Sequence, residues 1–293
     1  MGSFRLALRL SGVLAVAACA ASETGPQGPP NRTDGATAVF LTDAPFPFDG
    51  VTRVDIHIVD IALSPQTDTS DGLPGWVTVA TPDQAFNLLD LQNGSTALLG
   101  EAVVPPGQYR AVRVTFDPAR SSITDAHGDR IYTAATPGTP GIDWQSKEER
   151  PVLFAMVEEA MAIDRNGEDI VIDFDVGRSF LYDGNGGFTF LPWIRAITRA
   201  GSGSIAGQLT RADNGAAIPS AAVTIHISLD TVAALGPMLA TTRSDATGRF
   251  MASFLRPGRY QVVAADLGRD LSSAVKVVEV TAGRTADAGE FRF

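Results

Sequence analysis

Cysteine occurs once in the 293 residues, at position 19, lysine twice, at Lys147 and Lys276, and histidine three times. A lone cysteine excludes an intrachain disulfide, so folded stability must come from packing. The basic residues are otherwise all arginine, and a net charge of −10 with no visible basic face argues against nucleic acid as a partner. The chain also lacks a GxSxG elbow, an HExxH signature and a CxxC pair. Nucleophile-elbow hydrolysis and zinc chemistry are therefore without their diagnostic parts. No apolar run approaches the roughly 20 residues that a membrane-spanning helix needs.

What is present at the N-terminus is an address. In MGSFRLALRLSGVLAVAAC, Arg5 and Arg9 precede a short apolar core from Leu10 to Ala18. That is the layout of a secretory signal. Val16-Ala17-Ala18-Cys19 resembles a bacterial lipobox, which implies cleavage before Cys19, acylation of its thiol with palmitate-type chains, and anchoring at a membrane. Several acyl chains hold firmly, since each buried methylene contributes roughly 0.8 kcal/mol. Loss of Arg5 and Arg9 leaves 21 basic against 33 acidic side chains, so lipid rather than charge would hold the mature protein to its bilayer. Ala20, where inner-membrane lipoproteins often carry Asp, favours the outer membrane of a bacterial envelope. The stretch ASETGPQGPPNRTDG has no apolar periodicity and reads as a flexible tether. The expected order is a signal peptide over 1–18, lipidated Cys19 with its tether over 19–35, and folded material from 36 onward.

From Ala36 the chain becomes short runs of β-formers separated by turn residues, which predicts an all-β protein. In VTRVDIHIVDIAL, Val54, Ile56 and Ile58 share one face, with Arg53, Asp55 and His57 opposite. In DIVIDFDV, Ile170, Ile172, Phe174 and Val176 point to a core and Asp173 and Asp175 to water. PVLFAMVEEAMAI at 151–163 reads as strand in Val152, Phe154 and Met156, and as helix in Glu158 to Met161; strand is preferred. Two phrases rhyme, VVPPGQYRAVRV at 103–114 and FLRPGRYQVVAA at 254–265. Pro106-Gly107 and Pro257-Gly258 suit the central positions of type II turns. Tyr109 and Tyr260 follow where strands begin, as in the tyrosine corner of Greek-key sandwiches. Gly201-Ser202-Gly203 reads as a short flexible linker between two β-sandwich domains of Ig- or transthyretin-like Greek-key type, 36–200 and 201–293.

Residues 204–293 resemble the carboxypeptidase regulatory-like family through SIAGQLT, IPSAAVTI, SDATGRFMASFLRPGRYQVVAA and VKVVEVTAG. The resemblance implies a transthyretin-type sandwich with a carbohydrate-binding-like fold and no peptidase residues; DTVAALGPMLA at 230–240 is longer than that pattern. Residues 36–200 are similar to a bacterial lipoprotein family catalogued only as a domain of unknown function. AVFLTDAP, FNLLDLQNGSTALLGEAVVPPGQYRAVRVTF, IDFDVGRSF and GFTFLPWIRAI carry that likeness, which implies no chemistry.

Candidate sites are few. His57 and His226 sit in alternating strands and His127 in a loop, an unlikely set of triad bases. DRNGED at 164–169, DAHGD at 125–129 and DGNGG at 183–187 loosely evoke calcium loops, but lack the twelve-residue EF-hand layout and read first as hairpin turns. Asp173 and Asp175 stand about 7 Å apart along one strand face, a glycosidase-like separation that a solvated face explains more simply. Trp76, Trp144 and Trp193 are either a sugar-stacking platform or core rings. Lys276, the kind of residue an intramolecular isopeptide bond requires, is expected to point outward. No catalytic, metal or cofactor residue is assigned, and Cys19 alone is a modification site. The expected role is that of a non-enzymatic surface lipoprotein. It binds carbohydrate or an envelope protein through loops or strand edges, or else serves as a structural spacer or assembly component.

Overall fold

Strands Thr37–Ala44 and Asp169–Asp175 lie parallel, with Thr42 beside Asp173 and Ala44 beside Asp175. They form the centre of a sheet ordered Ile194–Thr198, Asp169–Asp175, Thr37–Ala44, Ala97–Ala102. The computed structural model that shows this describes residues 34–44, 50–67, 75–136, 138–229, 234–266 and 268–293. The expected signal peptide, Cys19 and all but the last two residues of the tether lie outside the described residues, as do 230–233 of the long insertion.

A second sheet is built around Val51–Ser64, fourteen residues rich in β-branched side chains. Its neighbours are Ala111–Phe116 and then Val152–Ala155 on one flank, Ser122–Asp125 and then Arg130–Ile131 on the other; Val77–Ala80 and Gln84–Asn87 also pair with it. Register shifts at Ile58/Asp60 and Val51/Arg53 let this one strand change partners along its length. The alternating residues read from the sequence, among them Ile56, Ile58, Ile170, Ile172 and Phe174, meet in one core with Val39, Leu41, Val112, Val114 and Phe116.

A separate core, with Ile205, Leu209, Val223, Ile225, Phe250, Val262, Ala264 and Phe291, fills the second sandwich. One of its sheets runs Arg249–Leu255, Gly203–Thr210, Thr285–Arg292; the other is centred on Ala222–Ile227 and Gly258–Asp266. The chain is thus all-β with two sandwich cores. Parallel pairing at Thr37–Ala44 with Asp169–Asp175, and at Gly203–Thr210 with Thr285–Arg292, is a feature that strand periodicity alone does not reveal.

The rhyming phrases do the same work twice. Tyr109 donates its hydroxyl to Pro105 O at 2.7 Å, and Tyr260 donates to Arg256 O at 2.8 Å, each four residues upstream. Both rings are buried, at 4% and 5% exposed. Tyrosine is therefore right at these positions because its ring joins a core while its hydroxyl satisfies a bend carbonyl. The expected type II turns do not form. That turn needs φ near +80° at the glycine, whereas Gly258 has φ +156° and Gly107 is absent from the positive-φ glycines. Each glycine instead opens a strand and faces the tyrosine ring, since a Cβ there would lie 4.0 Å (Gly107) or 3.9 Å (Gly258) from Cε2.

The strand preferred for 151–163 over helix is present, in two pieces, Val152–Ala155 and Met161–Ile163, parted at Glu158 and Glu159. Two further expectations are corrected. Asp173 and Asp175 do not face water: they are 7% and 4% exposed, because the strand is central and its second face is roofed by the second sandwich. Asp55 and His57 are likewise buried. The linker is ordered rather than flexible. Gly201 N donates to Thr198 Oγ1, Ser202 Oγ to Arg199 O, and Gly283 N to Ser202 O. A Cβ on Gly203 would sit 2.4 Å from Thr281 O.

Tyr109→Phe and Tyr260→Phe keep the ring and remove the bond to a partly exposed bend carbonyl. Each is expected to lower unfolding free energy by about 0.5–1.5 kcal/mol, measured by urea denaturation; no change for either would remove the corner's structural role.

Candidate functional site

Where the sequence hinted at metal loops, the structure shows one turn design used four times. Asp125 Oδ1 accepts from His127 N and Asp129 N, Asp164 Oδ1 from Asn166 N, and Asp183 Oδ1 from Asn185 N and Gly187 N. Asp245 Oδ1 accepts from Thr247 N and Arg249 N in the same way. Three residues after each aspartate stands a glycine with φ between +75° and +89°: Gly128, Gly167, Gly186 and Gly248. The carboxylates close tight turns, hairpins at Asp125 and Asp183 but links between strands of different sheets at Asp164 and Asp245, where the expected hairpin does not form, with glycine taking the left-handed position that other residues resist. The spacing Asp-x-x-Gly was the readable signal.

The histidines are equally structural. His57 Nε2 lies 3.1 Å from Asp83 Oδ1, which also receives Arg120 Nη2 at 2.8 Å, while His57 N donates to Ser121 Oγ. His226 bridges Gly236 O and Thr224 Oγ1. The tryptophans are not gathered into one platform. Trp144 is a core ring against Phe116, Phe180 and Phe190, its Nε1 donating to Thr133 Oγ1. The Trp193 ring lies beneath the Arg178 guanidinium at 3.5 Å. Trp76 pairs with the exposed Phe154, ring centroids 5.9 Å apart, with Arg113 over it at 5.0 Å. Lys276 does not point away: Nζ donates to Ala288 O and Glu290 O, at 2.8 and 2.7 Å, on the last strand.

The chemically unusual place is the seam between the two sandwiches, at the C-terminal ends of the parallel strands Thr37–Ala44 and Asp169–Asp175. Asp43, Asp173 and Asp175 gather there, all buried. Asp173 Oδ2 receives Arg195 Nε at 2.7 Å and Nη2 at 2.6 Å, from the facing residue of the next strand. Asp43 Oδ1 accepts from Val176 N, and Asp175 Oδ1 accepts from Arg178 N, so both carboxylates hold the single helical turn Val176–Ser179. Burial first, and then the Asp173 charge, push Asp175 up to about 6, against the Arg178 N–H. Burial also raises Asp43 well above the ordinary carboxylate range, helped by Asp173 and Asp175 and opposed by the Val176 N–H and the Gln92 side chain.

The second sandwich closes over this cluster. Thr242 Oγ1 lies 3.0 Å from Asn93 Oδ1, and Arg178 Nη1 donates to Leu239 O at 3.3 Å. Arg199 sits between the Phe40 and Phe254 rings. Arg256 pairs with both Glu158 and Glu159. Asn93 and Gly94, at φ +55° and +84°, form a tight turn whose glycine abuts Ser253; a Cβ there would lie 2.6 Å from its hydroxyl. Beside the clasp a cleft of about 380 Å³ runs between Met156–Ala162, Arg195–Thr198 and Phe254. Asp173 and Asp175 were visible in the sequence as a pair, but Asp43, Asn93 and Thr242 were missed because the seam joins segments far apart in the chain, Asn93 and Thr242 being separated by 149 positions. Among the described residues no three acidic, histidine or cysteine side chains converge as metal ligands, and no helix is long and apolar enough to cross a membrane. The arrangement places three buried carboxylates and the Arg195 guanidinium inside a joint.

Two outcomes follow from this electrostatics. Between 3.8, the ordinary value, and about 6 the folded protein holds the Asp175 proton that the unfolded chain releases. Stability therefore falls as pH rises through that window, and the penalty is complete above it. Asp175→Asn keeps the cap without the charge. It is expected to be more stable than the parent near neutral pH, by on the order of 1–2 kcal/mol, and flatter between about pH 4 and 6; thermal melts across pH decide. Arg195→Met leaves Asp173 buried and unpaired and should cost roughly 3–5 kcal/mol. Arg256→Ala, at a partly exposed pair, should cost less than about 1 kcal/mol.

The fold and seam can now be set against known proteins. Residues 34–192 match the family described as Domain of unknown function (DUF4382), and residues 204–293 match the carboxypeptidase regulatory-like domain. No curated protein matches the sequence. Among solved structures, the Bacillus anthracis TIE protein is 11% identical with a TM-score of 0.26, over 87% of this chain and 50% of that one. The chain thus spans half the length of that protein. The shaft pilin SpaA from Lactobacillus rhamnosus GG is 12% identical with a TM-score of 0.24, over 88% and 96% of the two chains. BcpA, the major pilin subunit of Bacillus cereus, is 10% identical with a TM-score of 0.23, over 87% and 68%. These superpositions are too loose to support a functional argument, whereas the first sequence match covers more than half of the chain. The chain belongs to the DUF4382 family, with a carboxypeptidase regulatory-like domain following the family's own domain.

Proposed function

We propose that this protein is a non-enzymatic component of a bacterial envelope surface, anchored through fatty acids on Cys19, that recognises a glycan or an envelope protein. One observation carries this reading: Arg178, Arg256, Asn93 and Thr242 tie the two sandwiches together, while Asp173 and Asp175 of the seam are held by partners within the first. A stiff two-sandwich body suits presentation of a binding face at a distance from a bilayer. The Trp76–Phe154 pair, its rings tilted by 37° and Arg113 over the indole, supplies an aromatic and cationic patch of the kind against which sugar rings pack. The same stiffness favours a second reading, a spacer or assembly component without a specific ligand.

The two readings separate experimentally. A soluble 34–293 protein on a glycan array is expected to retain a defined set of sugars, and Trp76→Ala with Phe154→Ala to abolish retention while the melting transition persists. An array with no hits, together with no envelope protein recovered by crosslinking in cells, would leave the spacer. Cys19→Ser is expected to lose radiolabelled palmitate and move from the membrane to the soluble fraction. Unchanged membrane association would overturn the anchor.

A further inference from the structure

Asp43 is the group at the seam that its surroundings leave incompletely matched. It is 5% exposed, and while Oδ1 accepts from Val176 N, Oδ2 has no hydrogen-bond partner. The Gln92 side chain is near enough to favour the charged form without supplying that partner. Asp43 borders a small cavity of about 20 Å³, also lined by Thr42, Asn93, Asp173 and Thr242. That volume suits a single particle the size of water. The lining side chains offer carboxylate, hydroxyl and amide oxygen, the hard donors that alkali and alkaline-earth ions prefer.

Charge decides between these ions. Asp173 is neutralised by Arg195, whose Nε and Nη2 both go to one of its oxygens. Asp175 is capped by Arg178 N and lies near the Arg178 and Arg195 guanidinia. Asp43 remains, with one negative charge when ionised and with Asp173 and Asp175 raising its potential further. One uncompensated charge suits a monovalent ion better than a divalent one. We propose that the seam cavity binds one sodium-sized monovalent cation at Asp43, in exchange for the proton that the carboxyl carries at lower pH. The buried carboxyl would then be neutral overall in either state, by its own proton or by the cation that replaces it. This inference is independent of the proposed surface role.

Thermal unfolding of the full chain in sodium chloride and in choline chloride of equal ionic strength tests it. At the alkaline end of a pH series sodium is expected to raise the midpoint over choline by about 3 °C, the shift produced when the ion stands near tenfold its dissociation constant. The difference should shrink as pH falls and be absent in Asp43→Asn. Equal midpoints in the two salts across the whole series, or a sodium effect that survives in Asp43→Asn, would overturn the proposal. Should Asp43→Asn not fold, sodium-23 resonance broadening by the parent protein decides. Broadening lost on acidification supports the site, and none at any pH of the series refutes it.

Discussion

The pairing of Arg195 with Asp173 is the constraint around which the molecule is organised. A carboxylate in the middle of a sheet, buried on both faces, is tolerable only beside a guanidinium held at the right register. That register comes from antiparallel pairing of Ile194–Thr198 with Asp169–Asp175, which the Ile170, Ile172 and Phe174 side chains fix by entering the core. Hydrophobic burial sets the strand, the strand sets the ion pair, and the neutralised pair lets a second sandwich close over the acids. Covering them in turn raises the proton affinity of Asp43 and Asp175, so the joint carries a pH sensitivity that neither sandwich core has by itself.

The contacts at this joint differ widely in worth. Arg256 with Glu158 and Glu159 is conspicuous but partly exposed, so water and salt screen it. The Asn93–Gly94 turn against Ser253, the Arg199 side chain between two aromatic rings, and the immobilised linker Gly201–Gly203 involve less charge and more contact. They fix the geometry, and the ionic clasp adds orientation.

Much of the fold was legible before the structure. DIVIDFDV and VTRVDIHIVDIAL announced their core faces correctly, and both Pro-Gly-x-Tyr phrases marked tyrosines bonded to upstream carbonyls. The errors share a cause. Period-two alternation says which face of a strand meets its own sheet's core, and is silent about whether something later in the chain covers the other face. Asp173 and Asp175 looked solvated for that reason, although their roof comes from residues 240–254. The parallel pairing of Thr37–Ala44 with Asp169–Asp175 was equally hidden, because no turn joins strands so far apart in sequence. The type II turns failed because proline and glycine preferences allow several conformations, and each of these glycines is the first residue of a strand.

The Lys276 ammonium has a consequence beyond its own sandwich. Thr285–Arg292 is the outermost strand of its sheet, and such a margin ordinarily offers free carbonyls on which a foreign strand can zip. Here the carbonyls of Ala288 and Glu290 already accept from an ammonium tethered next door, and a bulge at Gly289 breaks the rhythm of the margin. A rim bolted in this way gives the strand of a second copy little to zip onto, so neighbouring molecules do not fuse into a continuous ribbon.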